Sequence, residues 1–173
     1  GACATSGGIQ ALRNMADVDG WKRLVYPHPE YIAALATSTA IDAHVPIDLA
    51  LRGCPVNKQQ LLDVIAALLV GRQPQTLQHA VCVECKARGT PCVTVAHGTP
   101  CLGPVTHAGC GALCPAYNRG CYGCFGPVDG ANTSSLATWW SARLGGAPND
   151  IQRAFHAYNT NAPAFRREGD AHG

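Results

Sequence analysis

Charge is scarce in this chain. Asp, Glu, Lys and Arg make up 14% of its 173 residues, and thirteen basic against eleven acidic side chains leave a formal net charge of +2. That balance gives no basis for nucleic acid or an anionic membrane as a partner. A long apolar run is also lacking. The longest, Leu61–Val70, is interrupted by Asp63 and falls short of the roughly 18–20 residues a transmembrane helix needs. No signal peptide is legible at the start, and the C-terminal end reads as complete, without a membrane anchor. The glycines of residues 1–8 follow no strand and fit no nucleotide-binding fingerprint, and no repeat recurs at solenoid periods. What remains is 47% apolar, too much for disorder and long enough for one domain or one and a half. Low charge leaves less surface obligatorily wet, which suits a subunit packed against other chains and equally suits an Ala/Gly-rich soluble domain.

Three segments can be told apart. Residues 1–75 read as α/β. Gly1–Gly8 is a loop of small residues, Ile9–Asn14 a short helix, and Leu24–Tyr26 a short strand. Val45, Ile47, Leu49 and Leu51 alternate at the period of a strand. Asn57 with Gln60 then opens a helix carrying Leu61, Leu62, Ile65, Leu68 and Leu69, and Gly71 closes it. Strand, loop with Cys54 and helix make half of a β-α-β unit, whose loop is where such folds place ligands. Residues 76–127 show almost no periodicity, and a long stretch without elements in a compact domain calls for something else to order it, such as bound metal. Residues 128–173 read as a helical tail. Thr133–Ser135 caps a helix with Leu136, Trp139 and Trp140, and Asn149–Asp150 caps one with Ile151, Phe155 and Tyr158. The last residues are expected to fray. Residues 1–75 and 128–173 are both expected to bury a core of their own.

The middle segment holds eight of the ten cysteines. From Cys82 through Cys85, Cys92, Cys101, Cys110, Cys114 and Cys121 to Cys124 the gaps are 2, 6, 8, 8, 3, 6 and 2 residues. The list reads nearly the same from either end and cuts in the middle, giving the groups 82/85/92/101 and 110/114/121/124. Disulfides suit small, core-poor secreted scaffolds, and staples crowded into a quarter of this chain would stand in the wrong place. Two zinc sites are compatible with the Cys-x2-Cys pairs, although zinc ligands usually come as two short pairs, and each group here has one pair and two singletons. Iron–sulfur chemistry fits best. A cubane takes four thiolates from widely spread directions and tolerates uneven spacing. Cys110-Gly-Ala-Leu-Cys114-Pro115 also reproduces the C-x3-C-P end of the bacterial ferredoxin run, whose last cysteine serves the other cluster. The residues therefore point to two 4Fe–4S clusters, with the grouping of Cys114 open and zinc as the rival. Cys3 and Cys54 sit in small-residue loops and alone cannot complete a tetrahedral site. His97 and His107 lie between cysteines that already number four per group, so surface or hydrogen-bonding roles are expected for them. His79 is a candidate for tuning the 82/85/92/101 centre, and Trp139–Trp140 for packing.

The motifs GACATSGG at 1–8, RGCPV at 52–56, and CLGPVTHAGCGALCP with CYGCFGP across 101–127 resemble the small, iron–sulfur subunit of NiFe hydrogenases. That family shares its cluster-binding α/β domain with the 20 kDa-type subunit of respiratory complex I. LRGCPVNKQQLLDVIAALL and GIQALRN look most like the soluble, cytoplasmic, bidirectional enzymes that exchange electrons with NAD(P)H, also described as sulfhydrogenases. The resemblance implies part of a flavodoxin-like α/β domain (1–75), a two-cluster iron–sulfur domain (76–127) and a helical tail on the core or a partner (128–173). It implies three 4Fe–4S clusters in a line. Cys3 and Cys54 would each give one ligand to the proximal cluster, Cys110, Cys114, Cys121 and Cys124 would hold the medial one, and Cys82, Cys85, Cys92 and Cys101 the distal one. Many respiratory members have a distal histidine and three medial cysteines. Cys82 and Cys114 stand here instead, so both clusters are expected to be all-cysteine.

The same resemblance places the other two proximal ligands in an N-terminal Cys-x2-Cys that these residues do not contain, and a domain that begins upstream of Gly1 is expected. The implied function is electron transfer between the Ni–Fe site of a large subunit and a subunit handling flavin and nicotinamide. The rivals are a complex-I-like subunit of a quinone- or deazaflavin-linked machine and a zinc-stabilised interaction module.

Overall fold

The computed structural model describes residues 1–173. Short helices and tight turns dominate, and strand pairing is limited to three isolated bridges. Helix α1 spans Ala2–Ser6 and ends on Gly7 at φ 74°, a left-handed conformation that suits glycine. A 3-10 stretch, Gly8–Met15, covers the short helix expected near 9–14. Helix α2, Val18–Val25, is opened by Asp17, whose carboxylate accepts the Gly20 amide, so the strand expected at 24–26 is instead the end of a helix. Helix α3, Lys58–Leu69, is capped by Asn57, whose Oδ1 accepts the amides of Gln59 and Gln60, and Gly71 turns the chain away at φ 66°.

The strand expected at 45–51 does not form. Those residues are irregular, with bends at 45 and 48, and the bridge that follows joins only Gly53 to Val56. A strand needs a neighbour to take its N–H and C=O groups, and residues 1–75 supply none. Helices of the α/β reading are present, but its sheet is not formed within this stretch. The expectation that residues 1–75 bury a core of their own also fails. Apart from Ala2, Ala11, Ala40 and Val64 their apolar side chains are half-buried or exposed, with Leu24 85% and Leu69 81% accessible. Ile41, Val45, Ile47 and Leu49 instead face Leu61, Ile65 and Leu68 of α3 across an open groove of about 830 Å³.

Order in the middle segment comes partly from secondary structure that periodicity did not reveal. Helix α4 spans Val81–Arg88, α5 Val93–His97 and α6 Leu113–Ala116, with a 3-10 turn at Gly103–Val105. Between them Thr106 and His107 form bridges on opposite edges, and residues 105–108 are hydrogen-bonded on both sides. Val81 N–H donates to Thr106 O at 2.9 Å and Ala108 N–H to His79 O at 2.8 Å. On the other edge His107 N–H donates to Gly126 O at 2.9 Å and Val128 N–H to Val105 O at 2.9 Å.

Helix α7, Thr133–Trp139, is capped by Asn132 rather than by the Thr-Ser-Ser run, its Oδ1 accepting the Ser135 amide at 3.1 Å, and it continues as a π turn over Trp140–Leu144. Helix α8, Pro148–His156, starts on Pro148 with no side-chain cap, so Asn149 and Asp150 lie inside it. Proline fits the first helical position because its missing N–H has no acceptor there. The expected fraying of the end does not occur, since α9, Pro163–Asp170, buries Phe165 and Glu168.

The core lies between the cysteine segment and this tail. Val81, Val93, Leu102 and Val105 pack with Trp140, Ile151, Phe155 and Phe165, and Cys101 and Cys121 belong to the same cluster. Phe155 meets Phe165 edge-on at 5.5 Å and Trp140 at 5.9 Å, in the range where aromatic pairs add to simple burial. Trp140 is core and Trp139 half exposed. Phe155→Ala should lower the urea midpoint by the equivalent of about 3–5 kcal/mol, and an unchanged midpoint would show that this ring does not anchor the tail.

Candidate metal centre

Each cysteine is placed by a local reason. Cys82 and Cys85 stand three apart in α4 and so share one side of it. Cys92 is the residue before α5, reached through the turn that Gly89 makes at φ 71°. Cys101 precedes the 3-10 turn, Cys110 follows the paired run 105–108, and Cys114 sits in α6. Cys121 and Cys124 flank a turn whose Gly123 has φ 73°. Cys101 and Cys121 are buried, Cys3 and Cys92 exposed, and the others half-buried; none is paired in a disulfide.

Backbone amides are aimed at the sulfurs. Cys101 Sγ accepts from Cys121 N–H at 3.1 Å and Gly103 N–H at 3.4 Å, and Cys121 Sγ accepts from Gly123 N–H at 3.5 Å. A Cβ on Gly103 would stand 3.2 Å from Cys101 Sγ and 3.6 Å from Cys82 Sγ, so glycine leaves a space that both sulfurs face. Phe125 makes a second demand for glycine. Its ring would lie 2.7 Å from a Cβ on Gly53 and 2.7 Å from one on Gly109, both of which also have positive φ. The ring thus wedges the RGCPV loop against the one leading to Cys110.

Burial and mutual repulsion raise the thiols. Cys85 is pushed up to about 11, first by burial, then by Cys82, Cys101 and Cys92. Burial raises Cys82, with Cys101 and Cys92 adding to it. It also raises Cys101, although the amides of Cys121 and Gly103 pull the other way. In the second group Cys124 is pushed up to about 11, by burial and then by Cys110. Burial raises Cys110, opposed by the Leu113 amide and reinforced by Glu84, and it raises Cys121 further still.

The structure therefore brings Cys82, Cys85, Cys92 and Cys101 within electrostatic reach of one another. Cys110, Cys114, Cys121 and Cys124 line a single cavity of about 290 Å³, and Cys54 reaches its edge. The segments carrying Cys3 and Cys54 meet at Gly1, whose N–H donates to Leu51 O at 2.9 Å, while Ala2 N–H donates to Gly53 O at 2.8 Å. No three Cys, His, Asp or Glu side chains converge on one point as a mononuclear ion requires. Thiols spread around a cavity, with amides directed at sulfur and glycines where side chains would intrude, do fit a group of several atoms such as a cluster.

The histidines stand aside from these groups. His107 is buried and its Nδ1 lies 2.8 Å from Ala108 O, a hydrogen-bonding role, while His79 Nδ1 lies 3.3 Å from Ala80 O. His97 is exposed at the end of α5.

Two residues escape sequence reasoning. Glu84 accepts from Gly109 N–H at 3.0 Å and Ala112 N–H at 3.3 Å. Buried Asn159 donates from Nδ2 to Gly123 O at 2.8 Å and accepts from Ser6 Oγ at 2.6 Å, tying the tail to both the Cys121–Cys124 turn and the GACATSGG segment. Glu84 carries a signal in its place between Cys82 and Cys85. Asn159 carries none, because its partners are 36 and 153 residues away.

Thiol-rich loops pinned beside the first segment define the class as a protein that presents clustered cysteines to a metal group. Residues 1–68 match the family described as NADH ubiquinone oxidoreductase, 20 Kd subunit. The chain is 37% identical over 127 residues to the delta subunit of sulfhydrogenase 2 from Pyrococcus furiosus, covering 73% of this chain and 53% of that one. It is 32% identical over 174 residues to a vhu subunit of the F420-non-reducing hydrogenase from Methanococcus voltae, covering 82% and 60%. It is 34% identical over 116 residues to the iron-sulfur subunit of the F420-non-reducing hydrogenase from Archaeoglobus profundus, covering 51% and 36%. The chain is thus similar to hydrogenase subunits, and its residues 1–68 to the 20 kDa-type family, as its motifs imply, and it spans about half to three fifths of the length of the first two relatives. No helix is long and apolar enough to cross a membrane.

Asn159→Ala should remove two buried hydrogen bonds, leaving Ser6 Oγ with Ala2 O and Gly123 O with the Gly126 amide, and lower the urea midpoint by the equivalent of about 1–3 kcal/mol. Asn161→Ala, which touches only exposed Arg166, should leave it nearly unchanged, and equal effects would refute the bridging role.

Proposed function

We propose that this chain is the electron-transfer subunit of a NiFe hydrogenase, working between the Ni–Fe site of a large subunit and a subunit that handles flavin and NAD(P), in the cytoplasm. Cys82, Cys85, Cys92 and Cys101 would hold a distal 4Fe–4S cluster and Cys110, Cys114, Cys121 and Cys124 a medial one. Cys3 and Cys54 would give two ligands of a proximal cluster, completed by cysteines upstream of Gly1. Such clusters, when bound, supply one-electron carriers whose potentials follow cluster charge, hydrogen bonds to sulfur and solvent exposure.

The observation that carries the reading is the contiguity of the three thiol groups. Cys54 borders the cavity of the 110/114/121/124 group, and its amide favours the Cys124 thiolate. Cys121, which lines the same cavity, donates its amide to Cys101 of the third. Neighbouring thiol groups of this kind suit a relay of clusters. The chain's own part is to hold the thiolates, direct amides at them and keep water away, which Leu102, Phe125 and Phe165 do by burial. Unpartnered apolar side chains, among them Trp21, Leu24, Tyr31 and Leu35, suit contact with other subunits. A complex-I-like role draws on the match of residues 1–68, but the two four-cysteine groups lie outside that match.

Anaerobically purified protein should contain iron and acid-labile sulfide for at least two cubanes. Near-zero iron with about two zinc ions per chain would replace the relay by a zinc-stabilised module. Cys114→Ser should alter the EPR signal of one cluster and slow electron transfer, and an unchanged spectrum would remove Cys114 from the ligand set.

A further inference from the structure

Glu84 sits at the junction of the two four-cysteine groups. In sequence it lies between Cys82 and Cys85, but neighbours one or two apart on a helix do not face each other, and its carboxylate turns to the loop that carries Cys110. There Oε1 accepts from Gly109 N–H at 3.0 Å and Oε2 from Ala112 N–H at 3.3 Å, while Oε2 stands 3.9 Å from Cys110 Sγ. Ala112 is held at φ 53°, a conformation an alanine adopts only when its surroundings impose it. One turn further along α4, Arg88 donates to Gly111 O at 3.0 Å, so two side chains of opposite charge grip one loop. Glu84 is half-buried and Arg88 exposed, and salt and water screen the cation more than the anion.

We infer that Glu84 is a positioning and potential-setting residue: its negative charge, seated against Cys110, lowers the reduction potential of the 110/114/121/124 centre relative to the 82/85/92/101 centre, and the hydrogen bonds it accepts from the Gly109 and Ala112 amides hold Cys110 in place. The inference rests on the cluster reading above. An added electron makes a centre more negative, so a carboxylate beside it disfavours the reduced form. The side chain that shapes the Cys110 loop projects from the helix that supplies Cys82 and Cys85, and this sets the two centres apart in energy while fixing them in space.

EPR-monitored redox titration of the complete hydrogenase complex tests this, with iron and sulfide counted on the same samples. Glu84→Gln should raise the potential of the Cys110 centre, shifting its oxidised-to-reduced ratio at a fixed poise about tenfold toward reduced, or ~59 mV for one electron. The other centre should move less. Arg88→Gln loosens the same loop but removes the opposite charge, so it should shift the Cys110 centre the other way. Shifts of the same sign in both variants would mean that loop loosening, not charge, is responsible, and an unmoved potential in Glu84→Gln with clusters intact would overturn the inference outright. Absence of iron from the unaltered protein would overturn the cluster reading and this inference together. Should Glu84→Gln lose its iron, Glu84→Asp, which keeps the charge, is to show a near-native potential; a raised one refutes the charge effect.

Discussion

The arrangement of the cysteines depends on the doubly paired residues 105–108. They take backbone hydrogen bonds from residues 79–81 on one side and 126–128 on the other, and every cysteine from 82 to 124 lies within the loops that these pairings close. Val81 and Val105 bury their side chains in the core, so the run is held by hydrogen bonds along its edges and by apolar packing beside it. Without that frame, the thiols of this glycine- and proline-rich segment would have no common reference. With it, Cys101 and Cys121 come together across twenty residues of sequence, and the two four-cysteine groups become neighbours. Bringing so many thiols together is unfavourable in itself, since burial and the nearness of other sulfurs both disfavour their charged forms. The amides directed at Cys101 and Cys121 offset part of that, and bound iron would offset the rest.

The two halves of the chain solve the problem of burial differently. From residue 81 onward Leu102, Trp140, Ile151, Phe155 and Phe165 make a closed core, and the tail is an integral wall of the cysteine segment rather than an appendage. In residues 1–75 the apolar faces are present but open. The side of α3 with Leu61, Ile65 and Leu68 looks across a groove to Val45, Ile47 and Leu49, and no further layer covers them. Gly1, Leu51, Gly53 and Phe125 nevertheless fasten this half where it matters, beside the cavity lined by Cys54 and Cys110. These contacts tie the Cys54 loop to the cysteine segment even where the surrounding half lacks a core.

Much of the site was legible because ligand chemistry is written locally. The spacing of the cysteines marks the segment that gathers them, and Asn57 before Gln60 announces the start of α3 through a cap that spans three residues. Helices α4 and α5 escaped notice because they are short and draw their stability from the loops around them rather than from a repeating apolar stripe. The strand expected at 45–51 failed for the converse reason: alternation shows that a segment can pair, while pairing itself needs a partner. Asn132 took the place of the neighbouring Thr-Ser-Ser run as a cap because the chain's entry angle, which no local pattern encodes, decides which oxygen reaches the first free amides.

By itself the sequence determined the chemistry on offer: ten thiols at these spacings, glycines and prolines that let backbone approach them, no helix for a membrane and motifs shared with hydrogenase subunits. Tertiary structure alone decided which thiols meet, that Glu84 reaches back from α4 to the Cys110 loop, and that Asn159 joins the tail to two distant loops. Ligand type, turns and caps follow from residues within a few positions of one another. Contacts across 25 to 153 residues exist only after the chain has closed on itself, because the free energy that fixes them comes from burial and from pairing along 105–108.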